Sequence, residues 1–146
     1  MSTPDGIPAF LVQQVQAAYG EDIANQIFDG YQQAAQRPTT LRANTLKASA
    51  DDVAAALDET GIPYEHVPWY KDAFVVDAPS ERDVWAMDIY RKGGIYLQSL
   101  SSMLPPLALA PREGADILDM CAAPGGKTSQ IAALTQGQAH LTACEM

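Results

Sequence analysis

The run Asp119-Met120-Cys121-Ala122-Ala123-Pro124-Gly125-Gly126-Lys127-Thr128 places a carboxylate, a stretch of small residues, a lysine and a hydroxyl in immediate succession. Between a buried strand and a helix, a turn this free of bulk lets backbone approach a nucleotide-like ligand closely. Three chemistries compete for it. A phosphate cradle of the G-x-x-x-x-G-K-[ST] kind needs glycine where Cys121 stands. A dinucleotide fingerprint would put glycine at Cys121, Ala123 and Gly126, and only Gly126 qualifies, so a pyrophosphate would be crowded. A phosphate-free nucleoside asks less: an acid at the strand end, then little bulk at alternate positions. Asp119, Cys121, Ala123 and Gly125 meet that request in register. Alanine and cysteine serve wherever φ stays negative.

Glu145 ends the next apolar run, about twenty residues beyond the loop, where a carboxylate can accept from both ribose hydroxyls. Asp119 is expected to orient the ligand's other end through water or backbone groups, and Pro124 to stiffen the turn. Taken singly, these features also describe a tight turn and a solvated rim acid. Loop, following helix and Glu145 together describe a cofactor site.

The elements that must hold this loop follow from periodicity. Residues 116–120 form a short apolar run of the kind covered on both faces of a parallel sheet. Residues 127–134 have helical composition and end near Gly137, and 140–144 supply the next strand. This β-loop-α-β order opens a doubly wound, Rossmann-type sheet. Upstream, residues 41–46 read as a strand. Ser49 with Asp52 in capping-box position opens a helix through Val53 and Leu57 to Gly61. Strands follow at 64–67 and 73–76. Ser80 and Asp83 resemble a capped start of a helix carrying Val84, Met87 and Tyr90 to Gly93, before a strand at 95–97. The order β-α-β-β-α-β is a ferredoxin-like unit. In front of it, Leu11, Val15, Ala18 and Tyr19, then Ile23, Ile27, Tyr31 and Ala34, spell a helical pair separated at Gly20. A helix starting at Ser101 meets Pro105 and Pro106, so either a kink or a late start is open. The expected fold class is α/β, divided as a helical segment 1–38, an accessory domain 39–98 and a cofactor domain 99–146.

Composition narrows the function classes. No run of about 20 apolar residues is present, and residues 1–10 lack a basic region followed by an apolar one, so the expected address is the cytoplasm. Cys121 and Cys144 offer neither CxxC spacing nor a histidine pair, which excludes a zinc site, and both read as reduced, mostly buried residues. With 18 acidic against 9 basic residues, a charge of -9 argues against the whole surface gripping nucleic acid. Arg37, Arg42 and Lys47 are nevertheless the only charges between Gly30 and Ala50. They read either as solvated surface charges or as a phosphate-contacting segment.

The run 119–128 resembles the cofactor motif of the Nop/Sun family of RNA (cytosine-5) methyltransferases. Leu41-Arg-Ala-Asn-Thr-Leu-Lys47 resembles that family's accessory-domain signature, and Tyr96-Leu-Gln-Ser-Leu-Ser-Ser-Met103 the segment leading into its core. The helical pair is similar to bacterial members that modify small-subunit ribosomal RNA. The resemblance implies S-adenosyl-L-methionine as cofactor, bound by Cys121, Ala122, Ala123, Pro124, Gly125, Gly126, Lys127 and Glu145. It implies RNA as partner, which strengthens the phosphate-contact reading of Arg37, Arg42 and Lys47. The implied chemistry is covalent: a cysteine thiolate adds to carbon 6 of cytosine, carbon 5 takes the methyl group, and loss of the carbon-5 proton expels the enzyme. In the family the nucleophilic and eliminating cysteines lie on later strands. The expectation is therefore that residues 1–146 hold no catalytic residue, are inactive alone, and leave the strands after Pro111 with open edges. Two other readings are a non-catalytic RNA-binding or ribosome-assembly module, and a nucleotide-hydrolysing domain built on Gly126-Lys-Thr128.

Overall fold

The computed structural model describes residues 6–34, 37–77 and 81–146. The chain divides into two units, Met1–Arg37 and Pro38–Met146. In the first, helix α1 (Ala9–Tyr19) and helix α2 (Glu21–Ala34) meet at Gly20, whose φ of 79° is open to glycine at little cost. Glu21 and Asp22 place negative charge on the first turn of α2, where the helix dipole favours it. The apolar repeat at Ile23, Ile27 and Tyr31 lies on the exposed side, whereas Ala24 and Phe28 are buried.

The second unit begins with a four-stranded antiparallel sheet. Its elements are β1 (Thr39–Ala43), α3 (Ala50–Thr60), β2 (Tyr64–His66), β3 (Ala73–Val76), the short helices α4 (Glu81–Ala86) and α5 (Asp88–Arg91), and β4 (Ile95–Leu97). The spatial order β2-β3-β1-β4 is the ferredoxin-like arrangement expected from the sequence. Ser49 caps α3 by accepting from the Asp52 N–H at 3.1 Å, while the Asp52 carboxylate accepts from the Ser49 N–H at 2.8 Å. Gly61 closes the helix in the left-handed region.

Side chains alternate across the strands, and the sheet is covered on both faces. Leu41 and Ala43 pack with Val53 and Leu57 of α3 in one apolar cluster. Their neighbour Arg42 projects to the opposite face, as do its register partners Ala73 and Tyr96. That second face is covered by α6 (Leu100–Leu109), whose Met103 packs with Ala73, Val67 and Tyr70. Ser99 caps α6, and the helix runs through Pro105 and Pro106 with neither a kink-forced break nor a late start. Pro106 has no N–H to offer the Ser102 carbonyl one turn earlier. The Gln98 side-chain amide donates to that carbonyl instead, at 3.1 Å.

After α6 come β5 (Asp116–Asp119), α7 (Gly126–Leu134) and β6 (His140–Ala143), with β5 and β6 paired in parallel. Four expectations change. The first strand stops at Ala43, because the Asn44 carbonyl turns the chain by accepting from the Lys47 and Ala48 N–H groups. The single helix expected to reach Gly93 is interrupted at Met87, whose ψ of 138° is extended; the Ser80 cap expected for it lies outside the described residues. Strand β5 is not covered on both faces, since Leu118 is 59% exposed. Cys121 and Cys144 are exposed rather than buried, because both sit just past strand ends where the chain opens outward.

Candidate cofactor turn and its support

Strand β5 delivers Asp119 to the start of the turn, and its carboxylate ties both ends together. One oxygen accepts from the Cys121 N–H at 3.2 Å, the other from the Thr128 hydroxyl at 2.6 Å. Asp119 therefore braces the loop through backbone, and its second oxygen is committed to the first turn of α7. The adjacent strand end supplies three more contacts. The Cys144 N–H donates to the Asp119 carbonyl at 2.8 Å and the Ala122 N–H to the Cys144 carbonyl at 3.2 Å. The Glu145 carboxylate, via Oε2, accepts from the Ala123 N–H at 2.8 Å. Strand adjacency thus puts Glu145 over the turn.

The two glycines have different reasons. Gly125 caps α7 with φ at 105°, a conformation side-chain-bearing residues rarely adopt. Here conformational freedom matters as well as absence of bulk. At Gly126 a Cβ would stand 3.3 Å from the Tyr96 ring, so close approach is the constraint. Residues 121–124, Gly126 and Lys127 line a cavity of about 200 Å³ together with Tyr96, Gln98, Ser99 and Ser102. Six of the seven predicted loop residues thus line one cavity, and Glu145 is joined to the turn at the Ala123 N–H.

The three predicted RNA-contacting cations fare differently. Arg37 is exposed in the first unit and Lys47 is exposed in the second. Arg42 is 0% exposed, which corrects its reading as a surface cation able to reach phosphate. Its Nε donates to Gln98 Oε1 at 3.1 Å, Nη1 to its neighbour Ala43's carbonyl at 3.1 Å and Nη2 to the Ser129 hydroxyl at 3.0 Å. Burial lowers its pKa, opposed by Tyr70, Tyr96 and Asp72, yet a guanidinium remains charged in proteins. Burial likewise pushes the Asp72 carboxyl up, against the pull of Lys71 and Arg42. Gln98 Nε2 also donates to Gln130 Oε1 at 2.9 Å, and Gln130 Nε2 to the Met103 carbonyl at 2.9 Å. A buried charge is tolerable when its donors are met in this way.

Sequence reasoning missed this support: Gln98, Ser129, Gln130 and above all Tyr96, whose hydroxyl donates to the Pro124 carbonyl at 2.8 Å. Strand parity carried a signal, because Tyr96 lies directly opposite Arg42 in the β1–β4 register.

A ferredoxin-like sheet is thus followed by a parallel β-α-β unit of the doubly wound kind, with a small-residue turn that meets a carboxylate just past the second strand. Two family models match in that order: "Methyltr_RsmF/B-like, ferredoxin-like domain" over residues 7–83 and "16S rRNA methyltransferase RsmB/F" over residues 106–146. The chain belongs to this RsmB/F-like methyltransferase family. It is 48% identical over 99 residues to the human 28S rRNA (cytosine(4447)-C(5))-methyltransferase, covering 67% of this chain and 12% of that protein. It is 39% identical over 127 residues to the ribosomal RNA small subunit methyltransferase F of Shewanella oneidensis, covering 84% of this chain and 27% of that protein. A solved methyltransferase homologue from Pyrococcus horikoshii superposes with a TM-score of 0.67 at 34% identity, over 94% of this chain and 44% of that one. The chain therefore spans roughly an eighth to a quarter of the length of these two curated relatives. Among the described residues no helix is long and apolar enough to cross a membrane, and no group of three or more His, Cys, Asp or Glu could hold a metal ion.

Proposed function

We propose that the full-length protein is a cytoplasmic enzyme that transfers a methyl group from S-adenosyl-L-methionine to carbon 5 of cytosine in ribosomal RNA. We place the domain boundaries at 1–38, 39–98 and 99–146, the last being the start of the cofactor domain. The observation that carries the reading is the Glu145 carboxylate held against the Ala123 N–H of the small-residue turn. A carboxylate has about four acceptor positions. Two of those on Glu145 face backbone N–H groups, of Ala123 and, at 3.3 Å, of Met146. Ribose hydroxyls can take the others.

The fit to the cofactor is partial. The cavity of about 200 Å³ beside the turn is smaller than the roughly 300–1,000 Å³ typical of small-molecule sites. These residues supply one wall and the sugar-binding acid. When bound, the cofactor supplies an electrophilic sulfonium methyl. On the protein side, residues 121–127 receive the nucleoside against bulk-free backbone, Asp119 holds the turn shut, and Glu145 orients the sugar. Cys121 belongs to the turn and is assigned no nucleophilic role.

We assign small-subunit RNA as the substrate, supported by the 16S rRNA description of the model matching residues 106–146 and by the 84% coverage of this chain by the small-subunit enzyme. Exposed Arg37 and Lys47 remain available to RNA phosphates, which position a substrate without reading its sequence. The test is incorporation of label from methyl-labelled S-adenosylmethionine into unmodified small-subunit ribosomal RNA by the full-length protein. Incorporation at cytosine is expected. No incorporation into any ribosomal RNA overturns the reading, and incorporation only into large-subunit RNA overturns the substrate assignment.

A further inference from the structure

Tyr96 belongs to the accessory sheet by sequence and to the cofactor turn by contact. It sits on β4 opposite Arg42, on the sheet face turned toward α6 rather than toward α3. Its hydroxyl donates to the Pro124 carbonyl at 2.8 Å. That carbonyl immediately precedes the cap of α7, whose hydrogen bonding begins with the Ser129 N–H on the Gly125 carbonyl at 2.8 Å. The Tyr96 hydroxyl thus meets an acceptor just outside the helix.

The ring is itself held. The Arg42 guanidinium carbon stands 5.8 Å from the ring centroid, within cation–π reach. The same guanidinium donates to Ser129 in the first turn of α7. The accessory sheet therefore grips the turn on both sides of Gly125 and Gly126, by Tyr96 before them and by Arg42 after them. At Gly126 the ring approaches so closely that a Cβ would lie 3.3 Å from it. Gly125, at φ 105°, is the conformationally permissive residue of the turn, so its placement depends on restraint from its neighbours. Fixing the carbonyl one residue earlier fixes where that conformation places the turn's N–H groups.

We propose that Tyr96 is a positioning residue of the cofactor turn, through which the accessory sheet sets the protein's affinity for the sulfonium nucleoside. The inference rests on the functional reading above. The hydroxyl acts through Pro124 and touches no reacting atom. One hydrogen bond, worth about 0.5–1.5 kcal/mol net, corresponds to roughly a twofold to tenfold change in affinity when its loss falls on the bound geometry.

The test uses the full-length protein and Tyr96→Phe, which removes only the hydroxyl. Calorimetry with S-adenosylmethionine should show the Kd rising roughly two- to tenfold. The KM for cofactor should rise in parallel, with kcat at saturating cofactor and the KM for RNA little changed. Amide exchange should quicken at residues 121–129 and stay as in the wild type through β1 and β3. A wild type that binds while Tyr96→Phe binds equally tightly overturns this proposal alone. Quickened exchange throughout the sheet, with cofactor and RNA affinities falling together, also overturns it, because that marks a purely structural residue. A wild type giving no heat with cofactor overturns the functional reading and this inference with it.

Discussion

Gln98 and Gln130 face each other with the Nε2 of Gln98 donating to the Oε1 of Gln130 at 2.9 Å, Gln98 just past the end of the antiparallel sheet and Gln130 inside the helix that follows the small-residue turn. The remaining oxygen of Gln98 receives the Arg42 guanidinium, so the charge at the centre of the sheet is satisfied by neutral amides and a hydroxyl rather than by a carboxylate in contact. Both halves of the second unit contribute to the solvation of one cation.

Removing two members of this set together should cost less than the sum of removing each alone. Gln98→Leu strands one buried guanidinium donor and should destabilise by about 1–3 kcal/mol. Adding Arg42→Met takes the stranded charge away, so the double variant should be less destabilised than the sum of the single changes by at least about 1 kcal/mol. Urea unfolding of the four proteins checks this. Strict additivity would show that the two side chains do not share an interaction.

Gly125→Val should abolish measurable cofactor binding by the full-length protein, because a β-branched residue is strained at φ 105°. Gly125→Ala should be milder, with a backbone penalty of roughly 1–2 kcal/mol. Calorimetry with S-adenosylmethionine reads both. Wild-type affinity in Gly125→Val would mean that the turn is not where the cofactor lies.

Glu145→Gln keeps an acceptor for the Ala123 N–H but gives up the carboxylate charge. Cofactor affinity should fall by about 1 kcal/mol, near fivefold, while the turn keeps its geometry. Glu145→Ala should lose more, since the backbone contact goes as well. If the glutamine variant bound as poorly as Gly125→Val, the carboxylate would have some role other than grasping a sugar.

The capping box of α3 gives a pH signature. The Ser49 side chain and backbone hydrogen bonds lower the pKa of Asp52. A carboxyl whose folded pKa lies below its unfolded value, near 3.9, contributes its stability in full above that value and loses it as pH falls through the folded pKa. Ser49→Ala should cost about 1 kcal/mol at neutral pH as the cap is lost. The gap between variant and wild type should narrow below about pH 4. Denaturant midpoints from pH 3 to pH 7 measure it, and a constant gap would place Asp52 outside the cap.

Much of this architecture is legible because its signals are local. Ser49, Asp52 and Gly61 announce both ends of α3 within a short stretch, and the small residues of 121–126 announce a turn without any partner being known. Glu145 is legible because a parallel β-α-β unit has a fixed stride, which brings the second strand's end beside the first. Arg42 is not legible, because its surroundings are assembled from Gln98 and Ser129, 56 and 87 residues away along the chain. A strand reading Thr-Thr-Leu-Arg-Ala looks half-solvated until α6 is seen to cover its second face. The interruption at Met87 is hidden for the opposite reason: Val84, Met87 and Tyr90 keep helical spacing across a residue whose backbone is extended. Periodicity reports which side chains turn inward, and two short helices can satisfy it as well as one.

Pro106 leaves a missing rung in α6, and the rung is borrowed from the residue just before the helix cap. A helix so built is not self-sufficient: its Ser102 carbonyl is met by Gln98 at the end of the sheet. Pulled apart at that junction, neither piece would keep what it has, because the helix would regain an orphan carbonyl and the sheet would lose its cover. The antiparallel sheet and α6 should therefore melt as a single event, and a cut made between them for the sake of smaller crystals would sever a shared member rather than a hinge.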